Sequence, residues 1–206
     1  MELAATRSSL PDERLLIREL LHRINNEFTS AASMIALAAN HASSAEAKAV
    51  LTTVMGRLEE YAGVHRALQM PAPGTSIDAA TWLRELCRSI SRAKLDRKNI
   101  DLVLVERSLS LNAEQCWLLG MIINELITNA ARHAFDEAGG EIRVEIAQRG
   151  HLVECHVSDD GTAPFFVRRG RGLKIIEDLA ASLDGRFEQQ FGVHGSASVV
   201  VFPVHQ

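Results

Sequence analysis

Residues 112–135 read NAEQCWLLGMIINELITNAARHAF, and the rest of the chain is best understood outward from them. Asn112 followed three residues later by Gln115 has the form of a capping box, so a helix starts there. Leu118, Leu119, Ile122, Ile123, Leu126, Ile127 and Ala130 recur at helical spacing and make a broad face to bury. Glu125, Asn129, Arg132 and His133, spaced four and then three or four, share one polar stripe. A carboxylate, a carboxamide and two basic groups on one line suit a Mg-nucleotide. The amide oxygen is a hard ligand, the carboxylate can order or deprotonate, and the basic groups meet phosphate oxygens. The plainer reading is a surface ion pair, Glu125 with Arg132 or Arg132 with Asp136.

On the C-terminal side, strands are expected over residues 141–148 and 151–158, joined by Arg149-Gly150. The second ends in Val157-Ser158-Asp159-Asp160-Gly161, a turn signal that also places Asp159 at the mouth of a pocket. Gly170-Arg171-Gly172-Leu173 opens a helix to Ser182, and glycines there let backbone N–H groups approach phosphates. Strands over 186–191 and 196–202 complete a sheet. On the N-terminal side, Ile100–Val105 reads as a strand and Asp78–Lys94 as an amphipathic helix.

The cluster Met70-Pro71-Ala72-Pro73-Gly74-Thr75-Ser76 is the clearest break in the chain. It predicts a helical unit over 1–70, a linker over 71–77 and an α/β unit over 78–206. In the first unit, Leu16, Leu20, Ile24, Phe28, Ala31, Ile35 and Ala38 form one apolar face. Ser44 is an N-cap for a second helix with a heptad seam of Ala47, Leu51, Val54, Leu58, Tyr61, His65 and Leu68. Two such helices pack as an antiparallel hairpin, and pairing with a second copy into a four-helix bundle covers what the hairpin leaves wet. The polar stripe of the first helix holds Arg18, His22, Asn25, Asn26, Thr29 and Ser33. A neutral imidazole on it is a usable nucleophile toward phosphorus, although an exposed histidine is more often simply solvated.

Composition narrows the function classes. The 206 residues are 47% hydrophobic and carry a net charge of −4, which offers no basic footprint for nucleic acid. Cys87, Cys116 and Cys155 are scattered, as expected of reduced thiols in a cytoplasmic protein. MELAATRSSLPDERLL lacks the pattern of a signal peptide, and no membrane span is expected.

The order of these pieces resembles the catalytic core of bacterial histidine kinases, within the gyrase, Hsp90 and MutL ATPase superfamily. Residues 124–134, NELITNAARHA, resemble the N box, 157–164, VSDDGTAP, the first glycine box, and 170–176, GRGLKII, the second. Residues 21–27, LHRINNE, resemble the phosphoacceptor box of the subgroup in which arginine follows the histidine. The fold implied is α+β: a dimeric helical hairpin, then an α/β-sandwich ATP-binding domain.

The resemblance also implies roles. Asn129 would bind Mg²⁺ bridging ATP phosphates, with Glu125 supporting the metal or acting as base. Arg132 and His133 would touch phosphates or ribose. Asp159 would read the adenine amino group and Gly161 permit close backbone approach, with Gly170, Gly172 and Leu173 on the far side of the phosphates. His22 would take the γ-phosphoryl group and pass it to an aspartate of a response-regulator receiver domain, with a separate sensor protein upstream.

The sequence departs from the family pattern at Ala163, Arg168 and Asn25, where two glycines and a lysine are usual. Arg23 stands where many members carry an acid, with Glu19 one turn earlier as a substitute. The alternative function is a phosphotransfer protein that binds no ATP and relays phosphate through His22. A third reading, an anti-sigma-type serine kinase, lacks the hairpin.

Overall fold

The computed structural model describes residues 10–72, 74–162 and 171–204. It divides into two compact units, Met1–Met70 and Pro71–Gln206.

The first unit is a pair of antiparallel helices, α1 (Leu10–His41) and α2 (Ala45–Ala67). Ser44 caps α2, its Oγ accepting from the Ala47 N–H at 3.0 Å. The rings of Phe28 and His65 meet at 5.1 Å and set the register of the pair. On α1 the better-covered positions include Leu21, Asn25, Phe28, Ala32, Ile35 and Ala39. This face is rotated from the one expected. Phe28, Ala31 and Ile35 belong to both, but Leu16, Leu20 and Ile24 stay 58%, 50% and 39% exposed. The apolar stripe is wider than one partner helix can cover.

Asn25 also departs from the expected polar stripe. It lies three residues before Phe28 and four after Leu21, so helical winding turns it away from the exposed stripe. Both its amide atoms are buried, without a hydrogen-bond partner among the described residues. The side chain of Arg18 lies outside them. On α2, Leu68 of the heptad seam is buried, whereas Val54 and Tyr61 remain exposed.

The second unit is a two-layer α/β sandwich. Asp78 caps α3 (Ala79–Ile90), its carboxylate accepting from the Thr81 N–H and hydroxyl. The helix expected to reach Lys94 stops being α at Ile90. It widens into a π turn over Ser91–Leu95, then a 3₁₀ turn over Asp96–Lys98, and ends on Asn99 at φ 53°. Strands β1 (Ser76–Asp78) and β3 (Ser110–Asn112) pair antiparallel. They are too short for an alternation pattern to announce them.

The main sheet contains β2 (Ile100–Glu106), β4 (Gly140–Arg149), β5 (Leu152–Asp159), β6 (Arg186–Gly192) and β7 (Gly195–Pro203). Their order is β2-β4-β5-β7-β6. β2 runs parallel to β4 and the other pairs are antiparallel. Helices α4 (Ala113–His133) and α5 (Arg171–Ser182) pack on it, α4 against β4 and β5, and α5 against β6 and β7. Ile142, Val144 and Ile146 alternate inward on β4, as do Val153, Cys155 and Val157 on β5, while Val200 and Phe202 do so on β7. Against them α4 buries Leu119, Ile122, Ile123, Leu126 and Ile127.

Asn112 caps α4 at Gln115 N, 2.8 Å away, and the Gln115 side chain donates to the Pro203 carbonyl at 2.7 Å. The start of α4 is thereby tied to the end of β7. All three cysteines are buried, and burial pushes each thiol up to about 12, so they are inert core residues. Ile123→Ala removes a fully buried side chain from this layer. It is expected to cost about 2–5 kcal/mol of stability, read as a lower denaturation midpoint with an unchanged slope.

Candidate nucleotide and phosphoacceptor sites

In the second unit, three chain segments converge: the C-terminal half of α4, the end of β5 and the start of α5. Burial of one α4 face fixes the rotation of the helix, and Glu125 and Asn129 then fall on its half-covered flank. Arg132 and His133 are exposed on its last turn. Glu125 makes no ion pair with Arg132, nor Arg132 with Asp136, among the described residues.

Gly172, in the first turn of α5, faces the stripe. A Cβ there would lie 2.4 Å from Glu125 Oε1 and 3.4 Å from Asn129 Nδ2. The carboxylate and the carboxamide thus both look at the backbone of a helix beginning, whose N–H groups and dipole favour anions. Leu173 follows, half-buried. Gly170, Ala163 and Arg168 lie outside the described residues.

At the other end of the site, Asp159 is a buried carboxylate, 8% exposed. Its Oδ1 accepts from Gly161 N at 3.2 Å and Ser196 N at 3.3 Å, and its Oδ2 from the Ser196 hydroxyl at 2.6 Å. A carboxylate offers about four lone-pair positions, so one stays available to a ligand N–H. Gly161 sits against α4: a Cβ there would lie 2.2 Å from the Ala134 carbonyl oxygen. Thr162 N donates to that same oxygen at 2.9 Å. Asp160 serves the sheet, its Oδ1 accepting from Glu141 N at 2.7 Å.

Among the described residues no group of three His, Cys, Asp or Glu side chains could hold a metal by itself. Glu125 and Asn129 supply only two hard oxygen donors. That set fits Mg²⁺, which keeps several waters and is bound through one or two protein groups plus substrate phosphates.

In the first unit, His22 is exposed on α1, with Nδ1 3.1 Å from the Asn26 side-chain amide. Glu19, the acid considered as its companion, instead engages Arg23 at 3.0 Å. Asn26 is thus the direct partner of His22, and its i+4 spacing was the available signal. Ser196 had no such signal, being 37 residues from Asp159.

Residues 19–94 match a family described as histidine kinase, and residues 97–190 match the histidine kinase-like ATPase domain. The chain carries a bacterial histidine kinase catalytic core. It is 30% identical over 181 residues to the sensor histidine kinase PdtaS of Mycobacterium tuberculosis, across 82% of this chain and 35% of that protein. It is 23% identical to blue-light-activated histidine kinase 1 of Erythrobacter litoralis, across 100% of this chain and 57% of the relative. The chain therefore spans only part of these relatives. The kinase domain of the Erythrobacter litoralis EL346 blue-light-activated enzyme shares the fold at a TM-score of 0.63 and 17% identity, over 85% of this chain and 96% of that domain. No helix among the described residues of the histidine kinase core is long and apolar enough to cross a membrane.

The close approach at Gly172 gives a direct test. Gly172→Ala crowds Glu125 without disturbing the sheet, so the melting temperature is expected to stay within a few degrees of wild type. Nucleotide affinity measured by calorimetry is expected to fall at least about tenfold, through misplacement at the phosphate end.

Proposed function

We propose that this chain is the ATP-dependent autokinase core of a two-component system. It phosphorylates His22 from Mg-ATP and passes the group to an aspartate on a receiver domain. The observation that carries this is the juxtaposition of Glu125 and Asn129 with Gly172, together with a buried Asp159 that retains a free lone pair. A relay protein that bound no nucleotide would need neither.

In this reading Asp159 receives the adenine amino group, and its bonds to Ser196 and Gly161 hold the carboxylate in place. Arg132 and His133, on the exposed last turn of α4, meet phosphate or ribose oxygens. Gly172 and Leu173 border the phosphates from the α5 side. Glu125 and Asn129 would hold Mg²⁺, which would supply charge neutralisation at the phosphates.

His22 is the acceptor. The Asn26 side-chain N–H donates to Nδ1 and orients the ring, which leaves Nε2 as the nitrogen that takes phosphorus. The Nε2–P bond forms as the bond from the γ-phosphorus to the bridging oxygen breaks. ADP leaves, and the ring proton passes to solvent. Exposure of His22 suits a group that two different sites must reach in turn.

The exposed Leu16, Leu20 and Ile24 of α1, with Val50, Val54 and Tyr61 of α2, support a homodimer in which a second hairpin covers them. A separate sensor protein and a cytoplasmic setting, where ATP is available, complete the reading.

Incubation with Mg-ATP carrying a γ-label is expected to mark wild type with an acid-labile, alkali-stable label and leave His22→Ala unmarked. No label together with no nucleotide binding would sink the kinase in favour of the relay, and an acid-stable label would indicate serine. Leu20→Glu with Ile24→Glu is expected to shift the molecular mass in solution from dimer to monomer. An unchanged mass would show that this stripe is not the interface.

A further inference from the structure

The π turn at the end of α3 carries Lys94 onto the flank of α4. Its ammonium donates to Asn124 Oδ1 at 3.0 Å and to Thr128 Oγ1 at 2.7 Å. The Thr128 hydroxyl donates onward to the Asn124 carbonyl at 2.6 Å. One turn later, Lys98 donates to the Ala131 carbonyl at 2.7 Å. Asn124, Thr128 and Ala131 form the helical row beside Glu125, Asn129 and Arg132, each one residue earlier.

This is a costly way to staple two helices. Lys94 is half-buried, and its two hydrogen-bond acceptors are neutral. An ammonium drawn partly out of water without a bonded counter-charge loses hydration, and apolar side chains of similar size would serve packing better. Burial pushes its pKa below the usual lysine value, while the Glu125 carboxylate pulls it back up and Arg132 adds to the lowering. The ammonium therefore feels the charges of the polar stripe. Wide helical turns of this kind are frequent at functional sites.

The geometry points to Lys94 as a positioning residue for the phosphate end of the site: it locks Asn124 and Thr128 so that Glu125 and Asn129 are held facing Gly172. This rests on the function proposed above. Lys94 need not touch nucleotide itself. It acts on the fine setting of the polar flank of α4, beyond the rotation that core packing fixes.

Two variants test it: Lys94→Met, and Lys94→Met with Asn124→Leu and Thr128→Val, which replaces the whole polar cluster by apolar groups. The triple variant is expected to recover wild-type melting temperature, because no buried polar group is left without a partner. Both variants are expected to lose about tenfold in labelling rate and to need severalfold more Mg²⁺ for half-maximal rate. Affinity for ATP in the absence of metal, measured by calorimetry, is expected to change by less than twofold. A triple variant that labels at the wild-type rate would reduce Lys94 to a structural staple and overturn the inference. A lower Mg²⁺ requirement would also overturn it, since that is the signature of relieved charge repulsion. If wild type binds Mg-ATP but takes no label, the autokinase reading fails alone, and the Mg²⁺ enhancement of binding decides the role of Lys94. If wild type binds no Mg-ATP, both fall.

Discussion

The burial of one face of α4 against β4 and β5 is the constraint on which the rest of the second unit depends. Leu119, Ile122, Ile123 and Ile127 have no exposed surface, and Leu126 has almost none. A helix held by that many contacts cannot roll without opening a void, and voids in close-packed interiors are expensive. The side of α4 on which Glu125 and Asn129 stand is therefore a by-product of core packing. The same helix also sets the level of the β5 end, because the Ala134 carbonyl receives Thr162 and leaves Gly161 no room for a side chain.

The two ends of the site differ in kind. Asp159 is fixed by strand neighbours, with Ser196 on β7 holding one oxygen and sharing the other with Gly161. Its geometry follows from strand pairing and needs no helix to move. The phosphate end is assembled from two helices, one deep in the core and one beginning next to it. It depends on a glycine whose missing side chain is filled by the carboxylate of Glu125. The sheet end is preorganised by backbone register, and the helix end by the relative setting of α4 and α5.

Much of this was legible from residue patterns. The five strands of the main sheet and helices α4 and α5 announce themselves by periodicity and turn residues. The polar stripe of α4 could be read because its members lie within eight positions of one another. What escaped has physical causes. β1 and β3 have three residues each, below the length at which alternation is informative. The Asp159–Ser196 pair depends on strand register, which no local pattern carries. The packed face of α1 was misjudged because its apolar stripe is broad enough for two partners, so the sequence alone does not say which edge meets α2. Asn25 was misplaced for the same reason. Lys94 reads as the ordinary basic end of a helix until the π turn is seen.

The anchoring of α4 has a consequence for how the molecule breathes. Amide protons that are protected only by global unfolding belong to the most deeply packed elements, whereas binding elements are usually drawn from segments that open at little cost. Here the wall bearing Glu125 and Asn129 is part of the innermost helix. Packing of that depth places it among the elements that open last. Opening that exposes this wall therefore goes together with opening of the core, and loss of core packing carries the site with it.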